Sequence, residues 1–87
     1  MNNYSISEDI VCKQFEDESV LVNTQTGFYF QLNKVGSLIW KLMGNECSKS
    51  EIIDKIIKKF DINMSDGEKD YNKFIKELLE ENLIIKK

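Results

Sequence analysis

One segment, residues 26–40, constrains the fold most strongly, because in it an aromatic strand runs directly into an amphipathic helix. Thr26-Gly27 is typical of a turn, since glycine adopts positive φ without a steric penalty. The run Phe28–Leu32 is rich in aromatic residues, which favour strands. Asn33 is suited to cap a helix by accepting a backbone N–H bond. The chain is therefore expected to pass from sheet to helix at Asn33.

The residues after Asn33 predict a helix over Lys34–Met43 that stops at Gly44, a residue type common just after a helix end. Its apolar positions follow helical spacing: Val35, Leu38, Ile39, Leu42 and Met43. Gly36 is unusual inside a helix, where it costs about 1 kcal/mol relative to alanine. Its presence predicts close approach of another backbone.

The motif carried by this segment reads TG-x-Y-x-x-LN-x-x-G-x-x-IW and comprises Thr26-Gly27, Tyr29, Leu32-Asn33, Gly36 and Ile39-Trp40. In this motif the chain resembles the PqqD-like family, the peptide-binding domains called RiPP recognition elements. A weaker resemblance extends over residues 9–85. It implies a winged helix-turn-helix domain that binds the leader of a precursor peptide as an added antiparallel strand, in a groove between the third strand and the last helix.

The remaining elements follow from local patterns. Two further strands are predicted at residues 9–15 and 19–23, and tight turns join all three strands into an antiparallel meander. Capping-box spacings predict two more helices, one starting at Ser48 with Glu51 and one at Ser65 with Glu68. Residues 83–85 form a short apolar return segment. The order predicts an α+β fold, a three-stranded antiparallel sheet followed by three helices, in one domain over residues 1–87 with 1–8 flexible.

Charge and composition exclude several function classes. The 87 residues include twelve lysines, no arginine and fifteen acids, giving a net charge of −3. Because the net charge is −4 over residues 1–32 and only +1 over residues 33–87, no basic face for nucleic acid is expected. The chain has no histidine, and Cys12 and Cys47 are far apart, which argues against a zinc site and a cysteine nucleophile. We expect neither catalysis nor a cofactor.

The sequence shows no pattern typical of a signal peptide or a membrane span. The start of the chain is polar, and no apolar run approaches the roughly 20 residues that a membrane span needs. The sequence therefore predicts a cytosolic protein that does not enter a membrane.

The third strand and the third helix carry the predicted binding residues. In a meander the third strand is an edge, and residues 26–32 have neither the charge nor the proline that usually protects one. The alternatives are a plain core strand and a helix stripe that only packs, beside solvated lysines. Together with the resemblance, the pattern nominates nine peptide-binding residues: Phe28, Tyr29, Phe30, Gln31, Tyr71, Lys73, Phe74, Ile75 and Leu78.

The predicted function is that of a stand-alone recognition element. By the resemblance, it holds the leader by strand addition and presents the precursor to a modifying enzyme or a leader protease. The family serves several peptide classes, lasso peptides among them. Two alternatives remain, a winged-helix DNA-binding protein and a small structural or dimerisation subunit. We expect a monomer or a weak homodimer.

Overall fold

The structure, a computed structural model, describes residues 4–86. Along the chain the elements are β1 (Tyr4–Ile6), β2 (Ile10–Phe15), β3 (Glu18–Asn23), β4 (Tyr29–Leu32), α1 (Lys34–Gly44), α2 (Lys49–Phe60), α3 (Met64–Glu80) and β5 (Ile84–Lys86). The predicted α+β fold is confirmed, with an additional two-stranded sheet. None of the helices within residues 4–86 is long and apolar enough to cross a membrane.

The three-stranded sheet has the order β2-β3-β4 and is antiparallel throughout, as predicted. Its β3–β4 turn is held by Asn23, whose Oδ1 accepts the backbone N–H groups of Gln25 (2.9 Å) and Thr26 (3.2 Å). Gly27 lies in the left-handed region with φ of 76°. The turn chemistry of Thr26-Gly27 is therefore present as expected.

The second sheet pairs β1 with β5, opposing Tyr4 to Lys86 and Ile6 to Ile84. Ser7 extends the pairing, since its N–H and its Oγ donate to the carbonyl oxygens of Leu83 (3.1 Å) and Asn82 (2.8 Å). Residues 1–8 were expected to be flexible, with no strand or helix among them. Residues 4–6 are instead a strand, while residues 1–3 lie outside the described residues.

Each helix begins at a side-chain cap. Asn33 Oδ1 accepts the N–H of Gly36 (2.8 Å), and Ser48 forms the predicted capping box with Glu51. The predicted cap of α3 was wrong by two residues, because Asn63 rather than Ser65 accepts the N–H of the third residue along, Asp66 (2.8 Å). Gly44 is the last residue of α1, and the C-cap residue is Asn45.

The core lies between the helices and one face of the larger sheet. From the sheet it takes Leu21 and Leu32, and from α1 it takes Trp40, whose exposed fraction is 6%. The other buried apolar residues are Ile39, Leu42, Met43, Ile52, Ile53, Ile56, Tyr71, Ile75, Leu78, Leu83 and Ile84. Full burial of one such side chain contributes about 1.5–3 kcal/mol, so this single cluster fixes how the helices sit on the sheet.

Candidate functional site

The outer edge of β4 is open. In the three-stranded sheet β4 has only β3 as a neighbour, and no strand among residues 4–86 pairs with its other side. The four residues of β4 contain no charge and no proline. An edge of this kind can accept a further strand through its main-chain groups.

The register determines which backbone groups point away from the sheet. Asn23 lies opposite Phe28, and its N–H donates to the Phe28 carbonyl oxygen (2.8 Å). Since hydrogen-bonded and non-hydrogen-bonded pairs alternate along an antiparallel ladder, Phe30 and Leu32 also turn their N–H and C=O groups towards β3. The N–H and C=O groups of Tyr29 and Gln31 consequently face the open edge.

The side chains of the same strand divide between two faces. Phe30 is half-buried and Leu32 is buried, so both turn towards the helices. The Tyr29 side chain is 70% exposed, Gln31 is also exposed, and both lie on the other face of the sheet. Phe28, just before the strand, is 54% exposed. A strand added at this edge would therefore have aromatic side chains on both sides of its backbone.

A pocket of about 170 Å³ lies where β4 ends, between the first turn of α1 and the side of α3. Its apolar part comes from Val35, Ile39 and the half-buried ring of Phe74. Its polar residues are Asn33, Asp70, Lys73 and Glu77. The α3 residues that open to this pocket are thus spaced three, four and seven apart along one stripe of the helix.

Gly36 also lines this pocket, and its close neighbour is a side chain. A Cβ atom at position 36 would lie 3.1 Å from Phe74 Cε1 and 3.3 Å from Asn33 Oδ1. The expectation that another backbone approaches Gly36 was therefore wrong. The missing side chain leaves room for the Phe74 ring against α1.

Only part of the predicted α3 set reaches this pocket. Phe74 and Lys73 line it, whereas Tyr71, Ile75 and Leu78 are buried with exposed fractions of 3%, 5% and 0%. Burial, with a smaller contribution from the nearby Tyr4, raises the pKa of Tyr71. Lys49 Nζ lies 5.7 Å from the centre of the Tyr71 ring, so this side chain is directed towards α2. The roles of these five residues in binding remain predictions.

Two parts of the pocket lining were not predicted from the sequence: the acidic residues on α3 and the apolar residues on α1. Asp70 and Glu77 share the stripe of Lys73 and Phe74, and this spacing was visible in the sequence. The contribution of Val35 and Ile39 depends on how α1 crosses α3, for which a single sequence carries no local signal.

The side chains at this site are suited to binding. Within residues 4–86 no cluster of three or more histidine, cysteine or acidic side chains could hold a metal ion. Cys12 and Cys47 are both free thiols. An open strand edge next to a small pocket with an apolar floor is instead an arrangement that captures extended peptides.

Comparison with known proteins identifies relatives. The family model described as coenzyme PQQ synthesis protein D (PqqD) matches residues 18–84. Among solved structures, the chain is similar to "TbiB1 in Complex with the TbiA(beta) Leader Peptide", with 34% identity, a TM-score of 0.84, and coverage of 97% of this chain and 94% of that chain.

A second solved structure, "Lasso peptide synthetase B1 complexed with the leader peptide", has a TM-score of 0.87 with 20% identity and covers 95% of this chain and 98% of that chain. At that identity the likeness shows the shared fold alone. No curated protein sequence matches the chain significantly.

Proposed function

This chain belongs to the PqqD family, and from that premise we propose that it binds the leader part of a ribosomally synthesised precursor peptide along β4. One observation carries the proposal: the outward N–H and C=O groups of Tyr29 and Gln31 form an open edge that ends beside the α1–α3 pocket. The similar TbiB1 was solved with a leader peptide, which supports the same ligand class here.

The binding mode is strand addition. Main-chain bonds to Tyr29 and Gln31 set the register of the leader, and its alternate side chains face the helices or the outer face of the sheet. Phe28, Phe30 and Phe74 supply apolar contacts. Lys73 supplies the positive charge at the pocket, and Asp70 and Glu77 flank it. A leader side chain that enters the pocket therefore combines an apolar body with a polar end.

The contribution of this domain to peptide modification is proximity. By holding the leader, it keeps the core part of the precursor near the active site of a modifying enzyme or a leader protease. Tethering of this kind raises the effective substrate concentration to the millimolar range for short flexible connections. The domain binds and presents, and its partner performs the chemistry. We assign this step to the cytosol, where ribosomes release the precursor.

Lasso peptides are our candidate class of product. This candidate rests on the family, which serves lasso peptides among other classes, whereas the 20% identity to lasso peptide synthetase B1 supports the shared fold alone. A precursor encoded next to this protein, and the modification it carries when isolated, would identify the class directly.

Calorimetry with the two synthetic halves of the cognate precursor tests the proposal. We expect the leader half to bind and the core half not to bind, because the strand edge recognises an extended segment rather than the site of modification. Equal affinity for both halves, or no binding of the leader, contradicts the proposal.

Amide hydrogen exchange tests where the leader binds. New protection is expected at Tyr29 and Gln31, whose N–H groups face the open edge, and along α3. Protection confined to residues 51–60 of α2 would instead place the peptide in a different groove and rule out strand addition at β4.

A further inference from the structure

The larger sheet has a second open edge, on β2. In the order β2-β3-β4, β2 has one neighbour, and within residues 4–86 no strand pairs with its outer side. The strand is six residues long and carries one charge, Lys13, and no proline. Natural edges of this length are usually blocked by charge, proline or a covering element. Lys13 is the one such feature of this strand, and no proline or covering strand protects its outer side within residues 4–86.

The register again identifies the available backbone groups. Because Asn23 bonds to Phe28, just before β4, the neighbouring Val22 faces β2 and forms a hydrogen-bonded pair with Val11. By the same alternation the N–H and C=O groups of Cys12 and Gln14 point outwards. Ile10 is the limit of the open stretch, since its N–H already donates to the Ser7 carbonyl oxygen (3.3 Å).

A groove runs beside this edge on the helix side of the sheet. It consists of two clefts, of about 210 Å³ and 250 Å³, that share Gln14, Ser37 and Lys41. We call the two together the β2 groove, with Cys12 and Gln14 on its strand side and Lys34, Lys41 and Lys59 on its helical side. The β2 groove therefore joins an open strand edge to a wall formed by α1 and the end of α2.

The charge of the β2 groove is positive, although the whole chain has a net charge of −3. Lys34, Lys41 and Lys59 are exposed along its helical wall, against the two carboxylates of Glu16 and Asp17 at the hairpin end. None of the three lysines forms an ion pair with another residue in the part of the chain that the structure describes. Cations left unpaired beside an open strand favour an acidic ligand.

The outer face of the same edge carries two apolar side chains, Val11 and Phe15, with Lys13 between them. Val11 and Phe15 are 46% and 60% exposed, and their side chains lie on the face of the sheet opposite the groove. A strand added beside β2 places the residues opposite Cys12 and Gln14 on the helix side, near the lysines. It places the alternate residues beside Val11 and Phe15. The edge thus suits a strand with acidic residues on one face and apolar residues on the other.

We infer that the β2 groove binds an extended acidic segment of a partner protein as an added strand. This site is separate from the proposed leader site, because β2 and β4 are the opposite edges of one sheet. The domain would then hold two strands at once, the leader at β4 and a segment of a second protein at β2.

A second copy of this chain fits the β2 edge poorly in the register that uses both Cys12 and Gln14. If two β2 strands paired antiparallel with Cys12 opposite Gln14, Lys13 of each copy would face Lys13 of the other. The same register sets Asp17 opposite Asp9 at both ends. Like charges directly opposite each other destabilise a pair of strands. In this register, the one that pairs Cys12 with Gln14, the electrostatics therefore disfavour self-association.

A designed peptide tests the inference. The probe is the capped heptapeptide Ser-Glu-Val-Glu-Val-Glu-Ser, and its control replaces each glutamate with glutamine, which keeps the shape and removes the charge. Both are titrated to millimolar concentration into the ¹⁵N-labelled full chain, alone and with saturating leader peptide. We expect the glutamate probe to shift the amide signals of Cys12 and Gln14, with or without leader. The glutamine control should bind at least about fivefold more weakly.

Lysine variants test which lysines contact the probe. The double variant K41Q/K59Q should weaken the glutamate probe about fivefold. The variant K55Q removes an exposed charge from α2, the helix of Lys59, outside the groove and should leave probe binding unchanged. Raising the salt concentration should weaken the probe further, because exposed charges are screened.

Four results overturn the inference. These are the absence of shifts at millimolar probe, shifts only at Tyr29 and Gln31, equal binding of the two peptides, and concentration-dependent shifts at Cys12 without any probe, which would indicate a second copy. Leader binding is read from Tyr29 and Gln31 in the same spectra. Failure at β2 is therefore distinguishable from failure of the proposed function at β4.

Discussion

At the scale of single residues, Gly36 determines the shape of the α1–α3 pocket. Without a side chain, it lets the Phe74 ring pack against the first turn of α1. Two effects oppose each other here, since glycine inside a helix costs about 1 kcal/mol relative to alanine. The chain accepts this cost at a position where a methyl group would press on a residue that lines the pocket.

We predict that Gly36→Ala weakens leader binding while changing the free energy of unfolding by less than about 1 kcal/mol. The added Cβ lies 3.1 Å from Phe74 Cε1, so the ring must move, and because Phe74 is only half-buried it can move at low cost. Denaturant unfolding and leader calorimetry on the same variant measure the two effects. Unchanged leader affinity would show that the position of this ring is irrelevant to binding.

Gly67 provides the matched control. It lies on α3 against α2, where an added Cβ would come within 2.5 Å of Ile57 Cγ2 in a packed interface. Gly67→Ala should therefore destabilise the fold by about 1–3 kcal/mol through overpacking. It should leave the affinity of the folded protein for the leader unchanged.

At the scale of elements, β4 performs two tasks with alternate residues. Phe30 and Leu32 bond to β3, whereas Tyr29 and Gln31 direct their backbone groups outwards. The strand can therefore lose an outward hydrogen bond without losing its place in the sheet.

Proline substitutions separate the two tasks. Tyr29→Pro removes an outward N–H, so we expect leader binding to be lost with a modest change in melting temperature, since prolines are tolerated at an edge. Phe30→Pro removes an N–H that faces β3 and should lower the melting temperature strongly. Thermal melts with leader calorimetry compare the two. The reverse ranking of the two variants would mean that the register is shifted by one residue.

Elements with strong local patterns were predictable from the sequence, and elements defined by distant partners were not. The aromatic run before Asn33 and the apolar stripes of the helices predicted three strands and three helices. Strand β1 was missed, and the return segment over residues 83–85 was not assigned as a strand, because β1 and β5 have three residues each and lie at opposite ends of the chain. The cap of α3 was misplaced because Asn63 and Ser65 both precede an acidic residue by three positions.

The binding site was likewise predictable only where a local pattern or the strand order defined it. The open edge of β4 followed from the order of three strands, and this order is confirmed. The apolar stripe of α3 is so broad that either of its flanks could face the core. Periodicity therefore could not tell which flank packs inwards. The structure buries Tyr71, Ile75 and Leu78 and leaves Phe74 half-exposed beside the pocket.

At the scale of the whole molecule, the β1–β5 sheet ties the first described residues to the last. Ile84 is 2% exposed and joins the core, whereas its neighbour Ile85 is 57% exposed on the other face. We predict that Ile84→Ala lowers the free energy of unfolding by about 2–5 kcal/mol. Ile85→Ala should change it by less than about 0.5 kcal/mol. Denaturant titration decides, and equal losses would show that β5 does not pack as described.

The whole molecule should also lack activity on its own. We predict that incubation of the precursor with this protein alone leaves the precursor mass unchanged, because the open edge and its pocket can hold a peptide without changing its bonds. Mass spectrometry before and after incubation measures this, with the cognate modifying enzyme added as the positive control. A mass change without that enzyme would contradict the assignment of all chemistry to a partner.

The pairing of Tyr4 with Lys86 has a consequence for protein engineering. Facing residues of adjacent strands lie about 5 Å apart, so both ends of the described chain emerge side by side. A domain with adjacent ends can be inserted into an exposed loop of a host protein through two short linkers without being stretched. Inserted in this way into an unrelated enzyme, the domain would bring to that enzyme any protein or peptide that carries the matching leader.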